Sequence, residues 1–400
     1  MATLLFRRTL TGEGSSIALK NASCSLGNNA FICSINATGN SITTAKIVKI
    51  CHLSLVTRHL SIIHIRSSIR RRLVDSSKKK YLCIMNPQNS CHRGRFAPSP
   101  TGRMHLGNVY CALLSYLSVK SKGGSWMLRI EDLDPQRSKP DFARWIEDDL
   151  HWLGLDWDEG GSKGGLYAPY YQSERSDYYA FLFEKIKDQT YPCFCRRADL
   201  LAASAPHASD GRVLYAGTCK NLSTDQINLK MQTQKPAIRL QVPHQNVSFV
   251  DGLYGLQNID LQDFYGDFVL RRTDGTYAYQ LAVVADDAAM HITEVLRGND
   301  LLSSTPAQLY LYNLLGLQAP SFTHVPLLMS SKSGERLSKR DGSLSMEALR
   351  ARGVLPEQIW GMIAHKIGLL PQEEPISAKD LIPLYDVNKL PKENITVYSE

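Results

Sequence analysis

Three groups of residues in this 400-residue sequence have the types and spacing to do chemistry. The first is the string Arg95-Phe96-Ala97-Pro98-Ser99-Pro100-Thr101-Gly102-Arg103-Met104-His105-Leu106-Gly107-Asn108, at the junction of an extended run and a helix. A helix N-terminus offers unpaired N–H groups and a positive dipole end, and Gly107 lets a flat ring or a phosphate approach the backbone. The string suits a nucleotide, with His105 donating to phosphate oxygens. Taken alone, a His-x-Gly tetrapeptide is weak, and a lone histidine is more often structural. The second group is Arg336-Leu337-Ser338-Lys339-Arg340-Asp341-Gly342, a basic loop after the turn-forming Ser331-Lys332-Ser333-Gly334. A mobile Lys339 there would follow charge onto a departing pyrophosphate. In isolation the same loop reads as a solvated basic turn. The third is Cys193-Phe194-Cys195 followed by Tyr215-Ala216-Gly217-Thr218-Cys219, three thiolates and a phenol at a separation compatible with one tetrahedral Zn²⁺. Phenolate is an unusual ligand, so a three-cysteine site completed by water, or a reduced and empty one, stays open.

The elements that must position these groups alternate. Two prolines and Gly102 end the extended run at Arg95-Phe96-Ala97. Val109, Leu113, Leu114, Leu117 and Val119 then keep a helical period until Lys122-Gly123-Gly124 stops it. Trp126-Met127-Leu128-Arg129-Ile130 reads as a strand, and Pro140 to Leu153 as a helix with proline at its start. The alternation returns with a hairpin at Thr273-Asp274-Gly275, a helix from Leu281 to Ala288, a strand from Ile292 to Leu296 and a helix to Leu315. The expected fold class is α/β with a parallel sheet. Cys193 to about Asp267 has another composition, with paired cysteines and short alternating runs such as Ala237-Ile238-Arg239-Leu240, and reads as an insertion. The domain reading is therefore 93–192 and 268–342 as two halves of one catalytic domain, 193–267 as the inserted arm, and 343–400 as a short helical C-terminus.

Charge separates the remainder. Residues 1–92 hold 13 Lys/Arg against two acids, a charge of +11, whereas residues 93–400 carry −3. Acid-poor, rich in Ser, Arg and Asn and without a hydrophobic period, the first 92 residues read as a transit-like or disordered segment addressed to a plastid or mitochondrion. A start at Met85 would make it an untranslated extension and the protein cytoplasmic. A nucleic-acid arm around Arg70-Arg71-Arg72 and Lys78-Lys79-Lys80 ranks last. The longest uncharged stretch, Asn21 to Ala45, is full of Ser, Thr, Asn and Gly, which excludes a bilayer-spanning helix there. Nine cysteines without regular spacing are not a disulfide framework.

The two loop signatures together resemble the HIGH and KMSKS motifs of class I aminoacyl-tRNA synthetases, and their wording is that of the glutamate-specific branch. Arg129-Ile130-Glu131-Asp132-Leu133-Asp134 and Tyr170-Tyr171-Gln172-Ser173-Glu174-Arg175 resemble it too, so the likeness runs from Arg95 to about residue 370. It implies a Rossmann-type catalytic domain that joins L-glutamate to AMP from ATP, with Mg²⁺, and passes it to an RNA acceptor. It also implies His105 and Lys339 as catalytic residues. ATP would be held by Arg95, Ser99, His105, Gly107, Asn108 and Lys339, and glutamate by Arg95, Ser99, Glu131, Tyr279 and Arg297. An anion for the α-ammonium and bidentate arginines for two carboxylates are what glutamate requires. Which arginine takes which carboxylate stays open, as does a pairing of Glu131 with Arg297 instead. The second histidine of the HIGH motif is Asn108 here, and the gap from Cys195 to Tyr215 is long.

Within the branch, the string Tyr277-Ala278-Tyr279-Gln280-Leu281-Ala282-Val283-Val284 and Arg297-Gly298-Asn299-Asp300-Leu301-Leu302 resemble the short members that glutamylate queuosine in the anticodon of tRNA(Asp). Only 58 residues follow Gly342, too few for the helical anticodon-binding region of full-length members. The short members also resemble this sequence in using Cys-x-Cys with Tyr-x-x-x-Cys, implying one structural zinc on Cys193, Cys195, Tyr215 and Cys219. The expected partners are ATP, L-glutamate and queuosine-containing tRNA(Asp), acting on a monomer. The rivals are a truncated organellar enzyme charging tRNA(Glu) and a catalytically silent RNA-binding paralogue.

Overall fold

The computed structural model describes residues 92–196, 215–337 and 344–397, together with the backbone of two strands near the N-terminus. The chain divides into two units, Met1–Val74 and Asp75–Glu400. Of the first, the described part is an antiparallel pair, Leu19–Gly27 with Ala30–Ala37. The sequence reading found no ordered element there. The rest of the transit-like segment, and Lys339, lie outside the described residues.

In the second unit, β1 (Arg93–Phe96) leads to α1 (Leu106–Ser121), β2 (Ser125–Leu128), α2 (Pro140–Trp152) and the short β3 (Glu159–Gly160). After α3 (Ser176–Ile186) and β4 (Thr190–Cys193) come α4 (Thr224–Met231), β5 (Ala237–Leu240), β6 (Asn246–Asp251), β7 (Gly255–Asp260) and β8 (Phe268–Arg271). The second half follows as α5 (Tyr279–Ala289), β9 (Glu294–Gly298), α6 (Thr305–Leu314), β10 (Ser321–Val325) and β11 (Leu328–Ser330). The chain then runs through α7 (Met346–Ala351), α8 (Pro356–Lys366) and β12 (Ile395–Val397). No helix among the described residues is long and apolar enough to cross a membrane.

The central sheet has the order β3-β2-β1-β9-β10-β6-β7, parallel except for the final β6–β7 pair. Strand order reverses between β1 and β9, and in an open α/β sheet that switch point opens a crevice at the carboxyl ends of the strands. Helices cover both faces. Val109, Leu113 and Leu117 of α1 pack with Trp126, Ile146 and Trp360 in one core, and Phe183, Leu281, Val284 and Leu311 form another. Ser115 ties the layers, donating to the Arg95 carbonyl (3.0 Å) while accepting from the Trp126 indole (2.9 Å).

The inserted arm is built on a separate antiparallel sheet, β8-β5-β4. The expected 193–267 bounds do not follow the sheets: the β6–β7 hairpin, inside them, pairs with β10 in the catalytic sheet, while most of β4 and all of β8, outside them, pair with β5. Alternating short strands look alike whichever sheet they join, because the partner is set by long-range contact. The C-terminal residues return to the first half. Trp360 of α8 donates to the Leu153 carbonyl at 2.9 Å, and β12 pairs in parallel with β11.

Glu294 opens β9 and anchors it. Its carboxylate lies 2.5 Å from both His92 Nε2 and Lys122 Nζ and accepts from Ser118. Burial favours the neutral acid, but these donors outweigh it and hold the group down at about 2. A depressed carboxyl contributes stability above its unfolded value and loses it as pH falls through the folded one. Stability should therefore drop between the ordinary carboxylate range and about pH 2, and Glu294→Gln should cost about 3 kcal/mol near neutrality while flattening that slope. Urea unfolding near neutral pH and near pH 3 checks both.

Candidate active site

A cleft of about 470 Å³ sits at the switch point, within the size range of small-molecule sites. Among its lining residues are Arg95, Ser99, His105, Gly107, Asn108, Glu131, Tyr279 and Arg297. Eight residues expected at the nucleotide and glutamate sites, drawn from four separate stretches of sequence, thus meet in one cavity.

His105 is the N-cap of α1. Its Nδ1 accepts the Gly107 N–H at 3.1 Å, which places the proton of the neutral ring on Nε2 and makes that atom the donor. Asn108 Oδ1 accepts the His105 N–H at 3.3 Å, so the residue in place of the second histidine braces the turn. A Cβ at Gly107 would come within 3.0 Å of the His105 ring and 3.7 Å of Leu337. Only the first is tighter than ordinary van der Waals contact, so it is the His105 ring that favours glycine here. Ser345, on the far side of the second signature, makes a β-bridge to His105, and Met346 N–H donates to the Met104 carbonyl at 3.0 Å. The described residues flanking Lys339 are thus both seated on the His105 turn. Arg336, at the start of that loop, lines the cleft and is ion-paired with Asp300.

The opposite end of the cleft is ionic. Arg129, fully buried, reaches Asp287 (2.5 Å), Glu131 (3.2 Å) and Asp286 (3.8 Å). Arg95 Nε donates to Asp287 at 3.2 Å and Arg175 Nε to Asp286 at 2.6 Å. Burial pushes the Glu131 carboxyl up, against the pull of Arg129 and Arg95. Asp287 is held low by Arg129 and Arg95 despite its burial. Glu131 pairs with Arg129, which settles the alternative left open by the sequence: its partner is not Arg297.

Arg297 stands apart. Its Nε donates to His324 Nε2 (3.0 Å) and its Nη2 to Thr305 Oγ1 (2.8 Å), while Nη1 is buried with no hydrogen-bond partner. Among the described residues no carboxylate pairs with it, and burial lowers its pKa. A buried guanidinium lacking an anion is unstable unless a ligand supplies one. Tyr279, the first residue of α5, stands at the cleft wall, and Ser99 lies exposed on the loop after β1.

Arg129, Asp286, Asp287, Thr305 and His324 were not anticipated. A signal existed for the first three: a lone arginine inside the Trp126–Ile130 strand, and two adjacent acids in the apolar run of α5, have no reason to be there unless paired.

In the arm, the Sγ atoms of Cys193, Cys195 and Cys219 lie within 4.8 Å of one another, with Cys195 and Cys219 3.6 Å apart. Tyr215 Oη is 3.5 Å from Cys193 Sγ and accepts the Cys219 N–H at 2.7 Å. A 3.6 Å separation is far from a disulfide bond and close to the roughly 3.8 Å edge of a tetrahedron of sulfurs about Zn²⁺.

A family profile described as the catalytic domain of the class I tRNA synthetases (E and Q) matches residues 92–397. The chain belongs to this family. It is 47% identical over 303 residues to a glutamyl-Q tRNA(Asp) synthetase of Nitratidesulfovibrio vulgaris, covering 75% of this chain and 93% of that protein. A glutamate–tRNA ligase of Sulfurihydrogenibium sp. is 39% identical, with 75% of this chain and 64% of that one aligned. Among solved structures, a glutamate tRNA ligase from Elizabethkingia meningosepticum, in complex with its amino acid, superposes with a TM-score of 0.66 at 32% identity over 77% of this chain and 67% of that one. This synthetase is a ligase with an α/β, Rossmann-like catalytic domain, and the family supports glutamate activation and attachment to tRNA.

Proposed function

We propose that this synthetase activates L-glutamate as glutamyl-adenylate and transfers it to queuosine in the anticodon of tRNA(Asp). The observation that carries glutamate recognition is the buried Nη1 of Arg297, a cation without an anion in a cleft that also holds Glu131. A glutamate carboxylate satisfies Arg297, and the α-ammonium meets Glu131, whose other side Arg129 braces. The α-carboxylate attacks the α-phosphorus of ATP in line and pyrophosphate leaves. His105 Nε2 and the α1 N-terminus steady the phosphate oxygens, and Lys339 neutralises the leaving group. A hydroxyl of the queuosine cyclopentene-diol then attacks the activated carbonyl, releasing AMP. Identity supports this acceptor: relatives named glutamyl-Q tRNA(Asp) synthetase match at 47% and 44%, the glutamate–tRNA ligases at 39–42%.

Wild-type protein should catalyse glutamate-dependent exchange of pyrophosphate into ATP, and Lys339→Ala should reduce it roughly a hundredfold. Labelled glutamate incubated with ATP and separated tRNAs should appear on the queuosine nucleotide of tRNA(Asp). Label on the 3′ end of tRNA(Glu) would make this a glutamate–tRNA ligase instead, and no exchange at all would make it a silent paralogue.

Zinc fits the arm. Among the described residues the arm's own apolar cluster has five buried members, Tyr191, Cys193, Phe194, Tyr215 and Cys219, a small core that a bound metal would reinforce. Cys193, Cys195 and Cys219 would supply thiolates and Tyr215 the fourth ligand, giving a structural site. Elemental analysis should find about one zinc per chain, with Cys219→Ser lowering retention on dialysis against a chelator. The +11 segment 1–92 is proposed to target the protein to a plastid or mitochondrion. Fused to a fluorescent protein, residues 1–92 should direct it to one of these organelles; uniformly cytosolic fluorescence would refute that address.

A further inference from the structure

Beyond the cleft wall, Arg297 rests on a pair that the reaction itself does not use. His324, in β10, has no exposed surface, and neither does the side chain of Asp251 at the end of β6. His324 Nδ1 lies 2.6 Å from Asp251 Oδ2, and its Nε2 faces the Arg297 Nε–H at 3.0 Å. Asp251 is held in turn by backbone: Oδ1 accepts the N–H groups of Leu253 and Tyr254 at 3.0 Å each, and Oδ2 that of His324 at 3.1 Å. Thr305 Oγ1 closes the group, accepting from Arg297 Nη2 and lying 3.2 Å from His324 Nε2.

Only one tautomer satisfies these contacts. A carboxylate at Nδ1 requires the ring proton there, which leaves Nε2 as the acceptor that an arginine N–H needs. We infer that Asp251 and His324 are positioning residues for Arg297: they fix the imidazole in this tautomer, engage the Nε edge of the guanidinium, and leave Nη1 for a substrate carboxylate. The inference rests on the reading of Arg297 as a glutamate ligand. Asp251 belongs to the hairpin that composition grouped with the inserted arm, so this segment contributes to amino-acid binding through the catalytic sheet. Burial and the adjacent Arg297 favour the neutral ring, outweighing the opposing pull of Asp251.

The test is pyrophosphate exchange by the full chain at varied glutamate and varied ATP. In Asp251→Asn the Leu253 and Tyr254 N–H groups keep the amide oxygen on their side, which turns the NH2 toward His324 Nδ1, so Nδ1 accepts and Nε2–H is turned against the Arg297 donor. The KM for glutamate should rise roughly tenfold, the loss expected for one misdirected bond to a charged group, while the KM for ATP changes less than about twofold. In an Arg297→Lys background, which lacks the guanidinium fork, Asp251→Asn should add little. His324→Gln, whose amide oxygen accepts in place of Nε2, should recover part of the loss caused by His324→Leu; this comparison carries the test if Asp251→Asn does not fold. Equal rises in both KM values, an undiminished effect in the Arg297→Lys background, or equal losses in the two histidine variants would overturn the inference. Should Arg297→Lys itself leave the glutamate KM unchanged, the reading of the pocket falls, and the positioning role with it. A raised KM there with no effect of Asp251→Asn removes only the positioning role.

Discussion

Taking charge out of water is costly, and the site is arranged around how that cost is offset. Six ionic groups form one lattice behind the cleft: Arg95, Arg129 and Arg175 against Glu131, Asp286 and Asp287. Three cations face three anions, so the lattice is balanced and can stay ionised although Arg129 and Asp286 are wholly buried. Arg297 is the charge left over. Asp251, the acid behind it, is occupied by backbone N–H groups and His324. A zwitterionic glutamate carries two carboxylates and one ammonium, a net charge of −1, which is what the cleft lacks.

The same lattice explains how strands so far apart in sequence hold one geometry. Arg95 comes from β1, Glu131 from the loop after β2, Asp286 and Asp287 from α5, and Arg297 from β9. Each parallel strand delivers its residue at the carboxyl end, and the reversal of strand order between β1 and β9 makes room for a ligand between them. Glu294 fixes the start of β9 to the last turn of α1, three residues before Arg297, so the register of the arginine depends on a second buried ionic contact at the opposite end of the strand.

What could be read from the sequence divides by the range of the contacts involved. The His105 turn was legible because its partners lie within three residues: a cap, a close-approach glycine and a bracing side chain are local chemistry. The strand-helix alternation was legible through periodicity. Glu131, Tyr279 and Arg297 came from likeness to a family, and the cleft brings them together. The supports were not legible. Arg129 meets Asp287 across 158 positions and His324 meets Asp251 across 73, and no period or spacing encodes a pairing at that distance. The β6–β7 hairpin was assigned to the arm for the same reason, since its alternation states that it is half-buried but not in which sheet.

Coupling between the two signatures follows from how the second one is mounted. Leu337 donates to the Leu328 carbonyl at 2.9 Å and approaches Gly107, while Ser345 bridges to His105. Leu328 belongs to β11, whose strand partner among the described residues is β12 near the C-terminus, and Asn394 Oδ1 accepts the Leu327 N–H at 2.8 Å just upstream. The described residues on either side of the second signature are therefore held by the last described strand of the chain and by the His105 turn.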